Sequence, residues 1–401
     1  MDPVLNPFAP GAGSRPPALT GRDEIITTAR VALKRMLAGR HAKSMLLLGL
    51  RGVGKTVLLV NIEEIAEEEG YLTVLFEVPE DRGLAEILVP RLFGLLYRLS
   101  GFEKARVLAN RALGTLRSFA SVFKVTYGAF EVGIEPEPGF AASGDLEIDL
   151  TDLLVAVGKA AKAAEKPVAI MIDEVQYLDE PDLAALIVAL HRIGQMGLPV
   201  TMFGAGLPQL AGLSGTARSY AERLFDYPPV GALDRESAEQ AIEGPIRQAG
   251  ADIKRDALRI IVERTEGYPY FLQEWGSHAW DCAPSSPVQK NDVDAATEKA
   301  VAALDKSFFR VRFDRLTPRE QEYLRAMAEL GAGPHRSGDV AATLGIHVTT
   351  AGPLRTGLIR KGMVWSPTHG DTAFTVPMFH DYMLRAMPNW TSQDGDEKPA
   401  G

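Results

Sequence analysis

Apolar and polar positions divide the chain into three regions, each with its own period. From Gly21-Arg22 a helical pattern runs to about residue 37, followed by a short apolar strand at 43–48, a turn at 49–54 and a helix at 55–69. A β-rich alternation at 71–78 leads to a helix at 84–99. Further on, a helix at 151–164 precedes an apolar run at 168–172, a helix at 180–196 follows, and 199–203 reads as another strand. Strands alternating with helices predict right-handed βαβ units and a parallel sheet covered on both faces, an α/β architecture. Residues 102–149 break the alternation and read as an insertion. Its first part (104–123) is helical, and its second part (from 124) is hairpin-like but interrupted by Pro and Gly.

After Pro228-Pro229 the strand pattern stops, and four helices at 234–250, 256–266, 269–281 and 293–308 predict a small helical domain. The character changes again at Leu316. Thr317 can cap a helix and Pro318 suits its first position, so a helix runs to about residue 330. A short helix at 337–344, a turn at Gly345-Ile346-His347 and a helix at 349–361 follow, with Gly352-Pro353 in the first turn of the last. Residues 363–366 and 372–376 then form a hairpin around Pro367-Thr368-His369-Gly370. Three helices and a hairpin in that order make a winged helix, with 349–361 as the recognition helix and Thr368-His369-Gly370 as the wing tip. The expected divisions are a linker (1–20), an α/β core (21–230), a helical lid domain (231–310), a winged-helix domain (311–390) and a disordered tail (391–401).

With 401 residues, 46% hydrophobic and 24% charged, the chain has the composition of a globular protein of more than one domain. Its apolar runs are strand-sized, too short to span a membrane, and residues 1–17 have neither the basic start nor the apolar run of a secretory signal. The single cysteine, Cys282, excludes an internal disulfide and suits a reducing compartment, so a cytoplasmic location without a membrane partner is expected. A net charge of −9 argues against a surface that coats nucleic acid. Residues 301–390, however, carry eleven Lys and Arg against eight Asp and Glu, so any DNA contact is expected in the C-terminal quarter.

The strongest chemical signal is Gly49-Leu50-Arg51-Gly52-Val53-Gly54-Lys55-Thr56, which fits G-x-x-x-x-G-K-[ST] between an apolar strand and a helix. In that pattern, a phosphate-binding P-loop, glycines let backbone N–H groups face phosphate oxygens, and the helix N-terminus adds a favourable dipole. Gly49, Arg51, Gly52, Val53, Gly54, Lys55, Thr56 and Val57 are the expected nucleotide contacts. Lys55 would reach the β- and γ-phosphates and Thr56 would ligate Mg²⁺. The run 168–172 ends in Asp173-Glu174, two carboxylates at the carboxyl edge of a buried strand, where open α/β sheets bind ligands. Asp173 is expected to hold Mg²⁺, and Glu174 to orient and deprotonate the attacking water. Arg223, after the fourth core strand, is placed to stabilise a neighbour's transition state, or else is a surface arginine. Pro269, in Gly267-Tyr268-Pro269, is placed to approach the nucleotide, although a plain helix boundary explains the same residues. For DNA the candidates are Thr349, Thr350, Arg355, Arg360, Lys361 and His369, together with His347.

With these residues in hand, the chain resembles the AAA+/STAND group of P-loop ATPases, and most closely those related to replication initiators of the origin-recognition type. Pro16-Pro17, Gly21-Arg22, Gly49 to Thr56, Ile170 to Glu174, Ala205 to Leu210, Ser219 to Phe225 and Thr265 to Gln273 carry the likeness. It implies an αβα ATPase core, a helical lid and a winged helix, with ATP or ADP and Mg²⁺ as ligands and self-association through the core. It also implies that the adenine lies between the linker and the lid, near Arg22. Two departures stand out. The strand at 200–203 leads into Gly204-Ala205-Gly206 without the polar residue that senses γ-phosphate there, and the lid has Tyr268-Pro269-Tyr270-Phe271 where many members place a sensor arginine. Slow hydrolysis is therefore expected, and Arg223 is placed in doubt. Two functions follow: a nucleotide-controlled DNA-binding switch, or a STAND-like signalling or scaffold ATPase whose winged helix docks on protein or on its own core.

Overall fold

A computed structural model describes residues 1–11, 13–126, 140–368 and 370–391. The hairpin-like part of the insertion (mostly 127–139), His369 at the expected wing tip and the tail from 392 lie outside the described residues. The chain forms two compact units, one of residues 21–49 and 54–230, the other of residues 1–20, 50–53 and 231–401.

In the first unit, α1 (Asp23–Leu37), β1 (Ser44–Leu48), α2 (Lys55–Glu68), β2 (Leu72–Glu77) and α3 (Leu84–Ser100) lead to α4 (Arg106–Val122) and α5 (Leu146–Ala164). They are followed by β3 (Val168–Asp173), α6 (Glu180–Gln195), β4 (Val200–Gly206), α7 (Leu210–Ala217), α8 (Ala221–Leu224) and β5 (Phe225–Asp226). The strands form a five-stranded parallel sheet in the order β2-β3-β4-β1-β5, with Ile172 level with Gly204 and Leu48 level with Gly206. This is the P-loop NTPase fold of the α/β class. All of β3 and β4 is buried, which is why both read as apolar runs rather than alternations. β5 is two residues long and left no periodic trace. Helix α5 begins five residues before the expected start. Asp145 caps it by accepting from the Glu147 and Ile148 N–H groups, and fully buried Asp149 accepts from the Ser143 and Gly144 backbones and the Ser143 hydroxyl. Gly83 offers no side chain to cap α3, and Asp182 supplies the acceptor for the Leu84 N–H at 2.7 Å.

In the second unit, α9 (Arg235–Gln248), α10 (Arg255–Thr265), α11 (Pro269–Cys282) and α12 (Lys290–Leu304) form the helical domain. A π-helical turn (Asp305–Phe309) and α13 (Arg310–Asp314) continue α12. Residues 1–8 lie on α11. Phe8 is buried against Gly276, the Asn6 amide donates to Ser277 and Asp281, and the Trp280 indole donates to the Asp2 carbonyl. The C-terminal part contains α14 (Pro318–Glu329), β6 (His335–Arg336), α15 (Ser337–Leu344), α16 (Val348–Arg360), β7 (Val364–Trp365), β8 (Asp371–Phe374) and α17 (Phe379–Ala386). Its three strands pair antiparallel in the order β6-β8-β7. Thr317 and Glu320 close a capping box at the start of α14. Helix α17 was not expected from the sequence; Phe379, Tyr382 and Met383 bury one face of it beside α14.

Candidate functional site

The carboxyl edge of the parallel sheet gathers the predicted chemistry. The phosphate loop leaves β1 and enters α2 through Gly54, whose φ of 88° is left-handed, as is that of Gly52 at 82°. No side chain is strained there because both residues are glycines. Gly49 N–H donates to the Gly206 carbonyl at 3.1 Å, so the loop's first residue is joined to the end of β4. Lys55 is buried at the first position of α2, Thr56 is exposed and Val57 half-buried.

Two strands away, β3 delivers Asp173 to the same edge. The Thr56 hydroxyl donates to Asp173 Oδ2 at 2.6 Å, and the other carboxylate oxygen accepts the Glu174 N–H at 2.8 Å. Burial raises the pKa of Asp173 above its ordinary value, although both hydrogen bonds pull it down. A buried carboxylate beside a threonine hydroxyl is a hard-oxygen donor pair, which fits Mg²⁺ sharing its remaining positions with phosphate and water. Among the described residues no group of three or more His, Cys, Asp and Glu gathers to hold a metal unaided.

Glu174 turns the chain out of the sheet with a left-handed φ of 53°. It leads into a 3₁₀ turn, Val175–Tyr177, and Gln176 on that turn donates its amide to Glu174 Oε2. The other end of the same amide, Gln176 Oε1, accepts the Leu207 N–H at 3.1 Å. Sequence reading missed Gln176, because nothing in its spacing reveals a partner 31 residues away. The bare end of β4 does have a steric reason. A Cβ on Gly206 would lie 2.8 Å from Leu210 and 2.9 Å from Gln176 Oε1, and one on Gly204 would lie 2.5 Å from Leu46.

The remaining candidates are dispersed. Arg22 is buried at the start of α1. Arg223 is exposed on the short α8. In the second unit, Arg51 N–H donates to the Thr375 carbonyl, and the Gly52 carbonyl accepts the Tyr270 N–H at 3.1 Å. Tyr270 follows Pro269, the first residue of α11, and its ring stacks on Phe308 of the π-turn with centroids 4.7 Å apart.

On α16 the expected DNA contacts divide into two groups. Thr349, Thr350 and Arg360 are exposed. Arg355 instead turns onto the hairpin, donating to the Thr372 and Ser366 hydroxyls at 2.7 Å and to the Asp371 carbonyl at 2.9 Å. Lys361 donates to Glu320 at 2.8 Å and to the Arg315 carbonyl at 3.0 Å. Burial alone would raise Glu320, yet the bonds from Lys361 and the Thr317 N–H outweigh it and hold the carboxyl below its ordinary range. Arg355 and Lys361 therefore hold the module together in this structure.

Residues 18–203 match the family described as AAA ATPase domain, and residues 306–383 match a family described as a domain of unknown function. Sheet, phosphate loop and family match together define the core as a nucleotide-binding P-loop ATPase domain of the AAA+ class. No curated protein matches the chain in sequence. Among solved structures, a Walker-type ATPase of Pyrococcus abyssi superposes with a TM-score of 0.57 at 16% identity, over 91% of this chain and 96% of that one. At that identity the likeness establishes a shared fold alone. The RuvB Holliday junction branch migration motor of Thermotoga maritima (TM-score 0.46, 15% identity) covers 90% of this chain and 96% of its own. The Orc1 protein of Aeropyrum pernix, solved in complex with DNA (TM-score 0.45, 14% identity), covers 96% of both chains. No helix among the described residues is long and apolar enough to cross a membrane.

Proposed function

We propose that this protein is a nucleotide-controlled switch that binds and slowly hydrolyses ATP with Mg²⁺, and whose C-terminal module is a winged helix that contacts duplex DNA. The Thr56–Asp173 hydrogen bond carries the ATPase half of this reading, since it brings the loop's hydroxyl and a buried carboxylate to one point. Thr56 and Asp173 would hold Mg²⁺, which would supply positive charge to neutralise the phosphates. Lys55 supplies the fixed positive charge, and the loop's N–H groups orient the γ-phosphate. Glu174 takes a proton from water as the new O–P bond forms at the γ-phosphorus and the bridging P–O bond to ADP breaks. Arg223, exposed on α8, is available to a second copy if the cores associate. A cytoplasmic location suits such a switch.

For the DNA half, Thr349, Thr350 and Arg360 form the contact surface, and Arg355 and Lys361 act by holding the module in shape. The test is fluorescence anisotropy of labelled duplex with nucleotide-free, ADP-bound and ATP-analogue-bound protein at two salt concentrations. Binding that depends on nucleotide and weakens with salt supports the reading. Absence of binding in every state overturns it and leaves the ATPase half standing.

One observation favours a second reading, a STAND-like signalling or scaffold ATPase. The phosphate-loop residue Arg51 is hydrogen-bonded to Thr375, just beyond β8, so the C-terminal module itself can register the state of the loop. ADP retained through purification, and a proteolysis pattern that changes between ADP and an ATP analogue, would mark this reading.

A further inference from the structure

We propose that Gln176 is a positioning residue for hydrolysis: it fixes the Glu174 carboxylate and ties it to the end of β4, supplying the polar contact that β4 itself lacks. The inference rests on the reading of Glu174 as the group that activates water.

Three observations converge on it. The first is that Gln176 uses both ends of one amide, with Nε2 donating to Glu174 Oε2 and Oε1 accepting from Leu207 N–H. A glutamine so held has a fixed orientation, because reversing the amide would set like against like at both ends. The second is that Glu174 leaves β3 with φ of 53° and enters a 3₁₀ turn. A non-glycine residue in that region needs its surroundings to hold it, and this turn brings Gln176 back over the carboxylate. The third is that β4 carries glycines at 204 and 206, where a Cβ would press on neighbouring side chains, and the atoms crowding Gly206 include Gln176 Oε1 itself. Glycine here thus makes space for a glutamine that arrives from the neighbouring strand.

The bridge has a mechanical consequence. The Gly206 carbonyl accepts the Gly49 N–H and the next residue, Leu207, donates to Gln176, so the end of β4 is bonded to the first residue of the phosphate loop and, through Gln176, to Glu174. Movement of the phosphate loop is thereby passed to the carboxylate through three hydrogen bonds. A positioned base loses rate when it is free to rotate, even if its chemistry is unchanged.

The test uses the full chain and four variants: Gln176→Ala, Gln176→Glu, Glu174→Gln and Gly206→Ala. Steady-state ATP hydrolysis gives kcat and KM. Hydrogen–deuterium exchange of the nucleotide-free protein reports the Leu207 N–H. Gln176→Ala should lower kcat by about tenfold or more with KM within about threefold, and should speed exchange at Leu207. Gln176→Glu keeps an acceptor for Leu207 but sets a second carboxylate against Glu174, so exchange should stay near wild type while kcat falls about as far. That split separates positioning from mere support of the turn, which would spare kcat whenever the Leu207 bond survives. Gly206→Ala should lower kcat in wild type and much less in the Gln176→Ala background. Wild-type kcat in both Gln176 variants, with Glu174→Gln inactive, would overturn the role given to Gln176 alone. Wild-type kcat in Glu174→Gln would overturn the reading of Glu174 and this inference with it.

Discussion

The Thr56 hydroxyl and the Asp173 carboxylate meet at 2.6 Å, although 117 residues separate them in the chain. One belongs to the first turn of a helix and the other to the end of a strand two places away in the sheet. Asp173 is nearly inaccessible, at 6% exposure, so its charge is kept out of water at a cost that its two hydrogen bonds only partly offset.

Replacing Asp173 by Asn therefore has opposite consequences in two conditions. Without nucleotide the variant should melt a few °C higher than wild type, because the buried charge is gone while Asn can still accept from Glu174 N–H. With Mg²⁺ and ATP the ligand-induced rise in Tm should vanish. Differential scanning fluorimetry with and without Mg-ATP reads both. A lower nucleotide-free Tm would show that the desolvation cost is not the dominant effect.

Gly276 and Phe8 make a second pair with a sign to test. A Cβ at Gly276 would fall 2.6 Å from the Phe8 ring, so Gly276→Ala should displace residues 1–8 and cost about 1–3 kcal/mol. In a Phe8→Ala background the same change fills freed space in a helix and should stabilise by about 0.5–1 kcal/mol. Thermal melts of the four proteins decide this, and faster proteolysis near the N-terminus should accompany the first effect.

Lys361 offers a pH signature. The Glu320 carboxyl is held below its ordinary value near 4.5 by Lys361 and Thr317, so its stabilisation is complete above that value and is lost as pH falls through the lowered one. Lys361→Met should cost about 1–3 kcal/mol at pH 7, and the difference from wild type should shrink as the pH drops below about 4.5. Melting curves from pH 7 to pH 3 check the trend; a difference independent of pH would contradict it.

Arg355 and Arg360 lie on one helix but should behave differently. Arg355→Ala removes three hydrogen bonds between α16 and the hairpin and should destabilise the C-terminal module by about 2–4 kcal/mol. Arg360→Ala should leave stability within about 0.5 kcal/mol of wild type, as surface changes do, and reduce the salt dependence of duplex binding by roughly one phosphate contact. Anisotropy beside thermal melts distinguishes the two. Unchanged duplex binding in Arg360→Ala would remove that residue from the contact surface.

How much of this was legible in the sequence depended on how local each cause was. The glycines of the phosphate loop, the apolar run of β3 and the capping box at Thr317 and Glu320 are local, and their elements lie within a residue or two of expectation. Helix α17 follows the hairpin that completes the three-helix pattern, so nothing called for it, and β5 is too short to show a period. The direction of a long side chain was not legible. Arg355 and Lys361 carry the charge expected of DNA contacts, yet Thr372, Ser366 and Glu320 engage them from elsewhere in the chain. The Gln176 bridge escaped for the same reason, since its second end is fixed only once β4 lies beside β3.

The glycine end of β4 also restricts the order in which this site can change. A Cβ at 206 would lie 2.9 Å from Gln176 Oε1, so a larger residue there requires the glutamine amide to shift from its two partners. A prior loss of the glutamine leaves Glu174 without its tether. Neither single step is open without loss, and a route between the two arrangements passes through a poorer intermediate or requires both changes at once. The two positions are thus epistatic: each sets which residues the other can tolerate, so their substitutions cannot be scored separately.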